Sequence, residues 1–242
     1  MSANFITGTG TDIGKTWLAC ALLRHWRAAG RPAAAFKPVL SGFDPQPPQA
    51  SDAGALLAAL GREASPAELD AIAPWRFTAP LSPDMAAARE GRRIDFDELV
   101  AFTRRVASAN SGPTLVEGVG GVMVPLDDRH TVRDWIAASG LPCVLVTGTY
   151  LGSLSHALTA LEALARVGAG VAAIAVNQTP GSAVTLDATL ESLARHVAGI
   201  PLVSIARDSP QAGVARLAEL LCPEIVQAVY CGPLSSLPPD QP

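Results

Sequence analysis

Charge, aromatic rings and cysteine are all scarce in this sequence, and each scarcity removes a class of protein. Charged residues make up 17% of the 242 positions, and 18 Lys and Arg against 22 Asp and Glu leave a formal charge of −4. That balance lacks the basic footprint on which sequence-independent nucleic-acid binding depends, so a small anionic ligand would have to be held by a few placed lysines or backbone N–H groups. Aromatic residues amount to 5% against an apolar total of 49%, so the core has to be built mainly from Ala, Leu and Val, and disorder is excluded for most of the chain. Cys20, Cys143, Cys222 and Cys231 form no C-x-x-C pair and no ligand spacing with histidine, which points to reduced, mostly buried thiols. His25, His130, His156 and His196 show no metal spacing either. No apolar run reaches membrane-spanning length without a polar break, and no charged segment with an apolar stretch behind it precedes the first strand. A cytoplasmic protein without a membrane or nucleic-acid partner is expected.

What is present is an alternation of two kinds of segment. Short β-rich runs (Asn4 to Thr7, Thr114 to Glu117, Cys143 to Thr147, Val171 to Asn177) are separated by stretches with helical spacing at Phe96 to Ala109, Val132 to Ser139, Ser153 to Val167, Val184 to Val197 and Gln211 to Leu221. Such alternation predicts an α/β fold, a mostly parallel central sheet with helices on both faces. The first helix is expected from Lys15 to Ala29, since Leu18, Leu22 and Trp26 recur every four residues and Gly30 and Pro32 supply a stop. Ala33 to Pro38 reads as the second strand. Ser41 to Asp95, rich in Pro, Gly and Ala, reads as loops with short helices. One domain is expected over residues 1–225, with a frayed Pro-rich tail over 226–242.

The chemistry concentrates at the N-terminus. Phe5-Ile6-Thr7 runs into Gly8-Thr9-Gly10-Thr11-Asp12-Ile13-Gly14-Lys15-Thr16 and then directly into a helix, the strand-loop-helix setting of a phosphate loop. Glycine lets the backbone turn N–H groups around an anion, the helix N-terminus adds partial positive charge, Lys15 offers a point charge to the outer phosphates, and the Thr16 hydroxyl suits Mg²⁺. Thr9 stands where the usual spacing puts the first glycine, so this loop is one residue longer than standard.

Glu117 ends the apolar strand Thr114-Leu-Val and opens Gly118-Val-Gly-Gly121, which would bring its carboxylate out at the carboxyl end of the sheet, where open α/β sheets bind ligands. Beside a phosphate loop it becomes a Mg²⁺ candidate. Lys37 closes another short strand and points from the same end. Alone it reads as a surface lysine; here it can neutralise charge developing on a transferred phosphoryl group. Asp52, in Ala50-Ser-Asp-Ala53, reads alone as a helix N-cap.

In order, Gly8 to Thr16, Lys37-Pro-Val-Leu-Ser-Gly42, Ser51-Asp52, Leu81-Ser-Pro83, Val116-Glu-Gly-Val-Gly-Gly121 and Leu151-Gly-Ser-Leu-Ser-His156 resemble the dethiobiotin synthetase family of the P-loop NTPase superfamily. The similarity runs to about Ile205, and the longer phosphate loop is typical of that family. The resemblance implies a biotin-pathway ligase that closes a cyclic urea on 7,8-diaminopelargonic acid with CO₂ and ATP, through a carbamate and a carbamic-phosphoric anhydride. It implies Lys15 and Lys37 as the catalytic pair, Gly10, Thr11, Asp12, Ile13, Gly14, Lys15 and Thr16 around the phosphates, and Thr16, Asp52 and Glu117 as Mg²⁺ ligands. Ser41 would line the carbamate pocket with Thr11, and Asn177 would read adenine. Gly152, Ser153 and Ser155 would bind the substrate carboxylate at the other subunit's site, which implies a homodimer. Departures from the family pattern are Ser155 in place of a frequent Asn, Gln178-Thr-Pro180 in place of an expected acidic residue, and only a partial match at Gly199-Ile-Pro201.

Two rival readings share the phosphate loop. An amidating ligase would usually carry a glutamine-hydrolysing domain and a nucleophilic cysteine, and this chain has neither the length nor such a cysteine. A nucleotide-driven dimerising switch of the partition or septum-positioning type would usually carry an extra early lysine in the loop, which is absent.

Overall fold

In the computed structural model, which describes residues 2–222, eight strands occur: β1 (Ala3–Gly8), β2 (Ala34–Phe36), β3 (Val39–Ser41), β4 (Trp75–Phe77), β5 (Thr114–Glu117), β6 (Cys143–Gly148), β7 (Val171–Asn177) and β8 (Leu202–Ile205). Six of them form one parallel sheet in the order β2-β5-β1-β6-β7-β8, and β3 pairs with β4 in a separate two-stranded parallel sheet. Parallel pairing requires crossovers, and helices supply them: α1 (Lys15–Ala28), α2 (Asp52–Leu60), α3 (Pro66–Ile72), α4 (Pro83–Arg89), α5 (Phe96–Ala109), α6 (Val132–Ser139), α7 (Ser153–Ala165), α8 (Leu186–Ala194) and α9 (Gln211–Leu221). The tail expected over 226–242, with Cys231, lies outside the described residues.

Both faces of the sheet are covered, and the period of two along each strand explains how. On β1, Ile6 joins an apolar cluster with Leu18, Leu22 and Trp26 of α1 and Leu217 of α9, while its neighbour Phe5 points the other way into a second cluster with Trp135 and Leu164. Val144 and Val146 of β6 follow Ile6; Cys143 and Leu145 follow Phe5. Phe5 and Trp135 meet edge to face at 4.7 Å, and Trp135 Nε1 donates to Thr103 Oγ1 at 2.9 Å, so that indole leaves no buried donor unpaired.

Two expectations need correction. The second strand was expected to run through Lys37 to Pro38, but it stops at Phe36, because Pro38 has no N–H to donate and the chain leaves the main sheet there. Lys37 N instead donates to Ile72 O, and Val39–Ser41 restarts as β3 against β4, a strand that the Pro-rich composition of the middle region hid. The first helix ends at Ala28 rather than Ala29.

The topology decides where the chemistry can be. β1 and β5 are neighbours, with Ile6 in register with Glu117, so the loop after β1 and the carboxylate ending β5 emerge side by side at the carboxyl end of the sheet.

Candidate phosphate-binding site

The phosphate loop is held open by backbone geometry. Gly14, which caps α1, has φ of 90°, and a Cβ there would stand 2.6 Å from Asn177 Nδ2, so glycine is required twice over. At Gly10 a Cβ would meet no protein atom within 4 Å, so the protein itself does not demand glycine there. Lys15 folds back across the loop and donates from Nζ to Gly10 O at 2.6 Å. Burial, and next to it the Lys37 ammonium, bring the Lys15 pKa down to about 8.

Lys37 is the centre of the charged cluster. Its Nζ donates to Glu117 Oε1 at 2.6 Å and to Gly118 O at 3.0 Å, and it lies 3.1 Å from Asp52 Oδ2. At 2% exposure it is not the surface lysine that a strand end alone would give. Burial by itself would depress its pKa, but Glu117 and Asp52 outweigh that and hold it above the ordinary lysine value. Burial likewise would raise Asp52, and the Lys37 charge outweighs it, leaving that carboxyl below its usual range. The N-cap of α2 is Ser51, whose Oγ accepts from Gly54 N at 3.0 Å, so Asp52 is released from the capping role that its sequence context alone suggested.

Thr16 Oγ1 donates to the same Glu117 Oε1 at 2.6 Å, while Glu117 Oε2 is buried without a partner. A threonine hydroxyl with two carboxylates is a hard oxygen donor set of the kind that Mg²⁺ takes together with phosphate and water. Among the described residues no group of three or more His, Cys, Asp and Glu side chains could hold a metal ion by itself.

Thr11, Lys15, Thr16, Lys37, Ser41 and Asp52 all line one cavity of about 670 Å³, so the structure assembles residues spread over the first 52 positions. Its far wall is Pro80-Leu-Ser-Pro83 with Val119 and Val124. Ser41 Oγ and Ser82 Oγ are buried and unpartnered there, hydrogen-bonding capacity left open on the cavity wall. Ser82 carried no assigned role in the sequence, since only its neighbours in Leu-Ser-Pro marked it. A second cavity of about 530 Å³ adjoins the loop and contains Asp12, Ile13, Gly14 and Asn177. Asn177 Nδ2 donates to Ile13 O at 2.7 Å, which fixes the amide and leaves its buried Oδ1 free.

Gly152, Ser153 and Ser155 line neither cavity: Ser153 is buried at the start of α7, and Gly152 and Ser155 are exposed. The turn before them was not singled out in the sequence. There Tyr150 Oη lies 3.3 Å from Thr9 Oγ1 and 2.8 Å from His156 Nδ1, and Thr149 exchanges two 3.0 Å hydrogen bonds with Thr179. Long-range contacts of that kind leave no local pattern to read.

Comparison with known proteins gives the family of the chain. A family model described as an AAA domain matches residues 3–208. An ATP-dependent dethiobiotin synthetase BioD of Acidiphilium cryptum is 53% identical over 211 residues, covering 87% of this chain and 95% of that protein. The protein of the same name in Methylobacterium nodulans is 46% identical, covering 86% and 94%, and that in Phenylobacterium zucineum 44% identical, covering 91% and 95%. Among solved structures, the cell division ATPase MinD of Pyrococcus furiosus aligns with a TM-score of 0.54 at 13% identity, covering 94% of this chain and all of that one (100%). The hydrogenase maturation factor HypB of Archaeoglobus fulgidus aligns at 0.54 with 11% identity, covering 95% and 90%. At such identities these two show the shared fold alone.

Proposed function

This chain belongs to the ATP-dependent dethiobiotin synthetase family, and from that premise we propose that it is the biotin-pathway ligase that closes the cyclic urea of dethiobiotin on 7,8-diaminopelargonic acid with CO₂ and ATP. The observation that carries the proposal furthest is the buried Lys37 ammonium, fixed by Glu117 and Asp52 on the same cavity as Lys15 and two unpartnered serine hydroxyls. Phosphoryl transfer asks the protein for position and charge neutralisation rather than for a nucleophile, and this cavity offers both.

The reaction that the family resemblance implies would use those groups. One amine of the substrate adds to CO₂ and loses a proton, giving a carbamate. A carbamate oxygen attacks the γ-phosphorus of ATP and ADP leaves, forming the carbamic-phosphoric anhydride. The second amine attacks the carbonyl carbon and gives up a proton, the C–O bond to phosphate breaks, and phosphate departs with the ring closed. Lys15 and Lys37 bear the charge on the transferring phosphoryl group, the N–H groups of Gly10 to Thr16 hold the phosphates, and Ser41 and Ser82 donate to the carbamate or its substrate. Mg²⁺ would be held by Thr16, Asp52 and Glu117 and would supply positive charge beside the outer phosphates; the orphaned Glu117 Oε2 and the all-oxygen donor set fit it. Asn177 offers its free Oδ1 to the adenine amine while its Nδ2 holds the loop.

Gly152 and Ser155, exposed on either side of the buried Ser153 at the start of α7, would serve the substrate carboxylate at a second subunit's site, in a cytoplasmic homodimer. Leu151, the residue before this segment, is 92% exposed, an apolar side chain that a second subunit would cover.

The test is phosphate release from ATP and Mg²⁺ in bicarbonate buffer, with and without the diamine, for wild type and Lys37→Met. Release that needs the diamine, yields a cyclic urea and collapses in the variant is expected. Diamine-independent release would move the protein to the nucleotide-switch class instead.

A further inference from the structure

We propose that Trp17 is a specificity-determining residue of the nucleotide site, its indole forming the wall on which the base stacks. The inference rests on the nucleotide reading above and adds to it a residue that no motif marks.

Position along α1 is the first observation. Leu18, Leu22 and Trp26 occupy the buried stripe of this helix, whereas Trp17 lies on its solvent side together with Arg24 and is 45% exposed. A lone exposed aromatic is unremarkable in itself. The other tryptophans behave differently, with Trp26 and Trp135 fully buried and Trp75 half-buried.

Location is the second observation. Trp17 lines both cavities that flank the phosphate loop, and among the described residues it is the only aromatic side chain in the lining of either. The residues it shares between them are Asp12 and Gly14 of the loop itself. A nucleotide whose phosphates lie on Gly10 to Thr16 must place its base in one of the two spaces. The larger is lined by Lys37, Asp52 and serine hydroxyls, the chemistry of phosphoryl transfer. The smaller, about 530 Å³, combines the unpartnered Asn177 Oδ1 with Pro180 and Ile205, a polar handle and an apolar floor. An aromatic face, apolar neighbours and polar side chains, the fixed Asn177 amide with Gln178, Arg207 and Asp208 among them, match a heterocycle bearing an exocyclic amine.

Trp17 follows Thr16 directly, so its backbone is anchored at the helix turn that receives the phosphates and its ring needs no loop movement to reach the base. A base stacked on an aromatic side chain typically gains ~1–3 kcal/mol, so Trp17→Ala is expected to weaken Mg-ATP binding by ~5- to 150-fold. Mg-tripolyphosphate, which has the phosphates without the base, should bind the variant within about twofold of wild type, and Trp17→Phe should keep most of the ATP affinity because it keeps a π-face.

Calorimetric titration of the intact protein with each ligand reads these values, and tryptophan fluorescence gives an independent signal that ATP should change in wild type and not in Trp17→Phe. Equal loss of ATP and tripolyphosphate affinity in Trp17→Ala would mean that the indole only supports the helix start, and would overturn the proposal. Unchanged ATP affinity with a raised KM for the diamine would overturn it too, assigning the ring to the larger cavity. Wild type that binds neither ligand would remove the nucleotide reading and this inference with it, whereas failure of the Trp17 result alone would leave the ligase intact.

Discussion

Replacing Lys37 by Met separates its structural role from its chemical one. The substitution keeps an unbranched apolar stem and removes the ammonium that bonds Glu117 Oε1 at 2.6 Å. Glu117 is 1% exposed and would keep only the Thr16 hydroxyl on that oxygen, with Oε2 still unpartnered. Removing one member of a buried ion pair costs ~3–5 kcal/mol, chiefly for the charge left behind. Asp52, whose side chain is 43% exposed, regains water and adds little. The lower end, about 3 kcal/mol, is the better figure here because water can enter the adjoining cavity. For a chain of this size that lowers Tm by ~6–12 °C, measured by calorimetry without nucleotide and in chelator. Adding Glu117→Gln removes the stranded charge while retaining a group of the same shape for Thr16, so the double variant should recover at least half of the lost stability. Neither variant should form product. A double variant no more stable than Lys37→Met alone would refute the reasoning, since the cost would then lie in packing and not in an uncompensated carboxylate.

Two further predictions concern the same cavity. With its pKa near 8, free Lys15 loses its proton as pH rises through that value, whereas bound phosphate favours the ammonium. ATP binding should therefore take up a proton above pH 8, seen as a buffer-dependent calorimetric heat, and affinity should fall about tenfold per pH unit there; constant affinity from pH 7 to 9.5 would contradict the assignment. Ser41→Ala and Ser82→Ala remove hydroxyls that have no protein partner, and Ser82 makes no capping bond to α4. Both should leave Tm unchanged to within about 0.5 kcal/mol of stability while raising KM for the diamine by ~5-fold, the loss of one hydrogen bond. A large fall in Tm would show that these hydroxyls hold the fold.

The sequence by itself determined the phosphate loop, the parallel α/β architecture and the order of the functional residues. These are written in local patterns: glycines at fixed offsets before Lys15, apolar runs of strand length, and a four-residue spacing in α1 that buries Leu18, Leu22 and Trp26. Local patterns could not fix the state of individual side chains. Lys37 looks like a surface residue until the chain leaves the sheet at Pro38 and carries it between Glu117, 80 residues away, and Asp52. Asp52 looks like a cap until Ser51 takes that role. β4 disappears among prolines because its partner among the described residues is β3, more than 30 residues earlier. Trp17 is one more residue of a helix until two cavities are seen to meet at it. The division has one physical cause: backbone conformation and binary pattern act over a few residues, whereas burial, charge pairing and cavity shape arise only when segments distant in the chain are packed together.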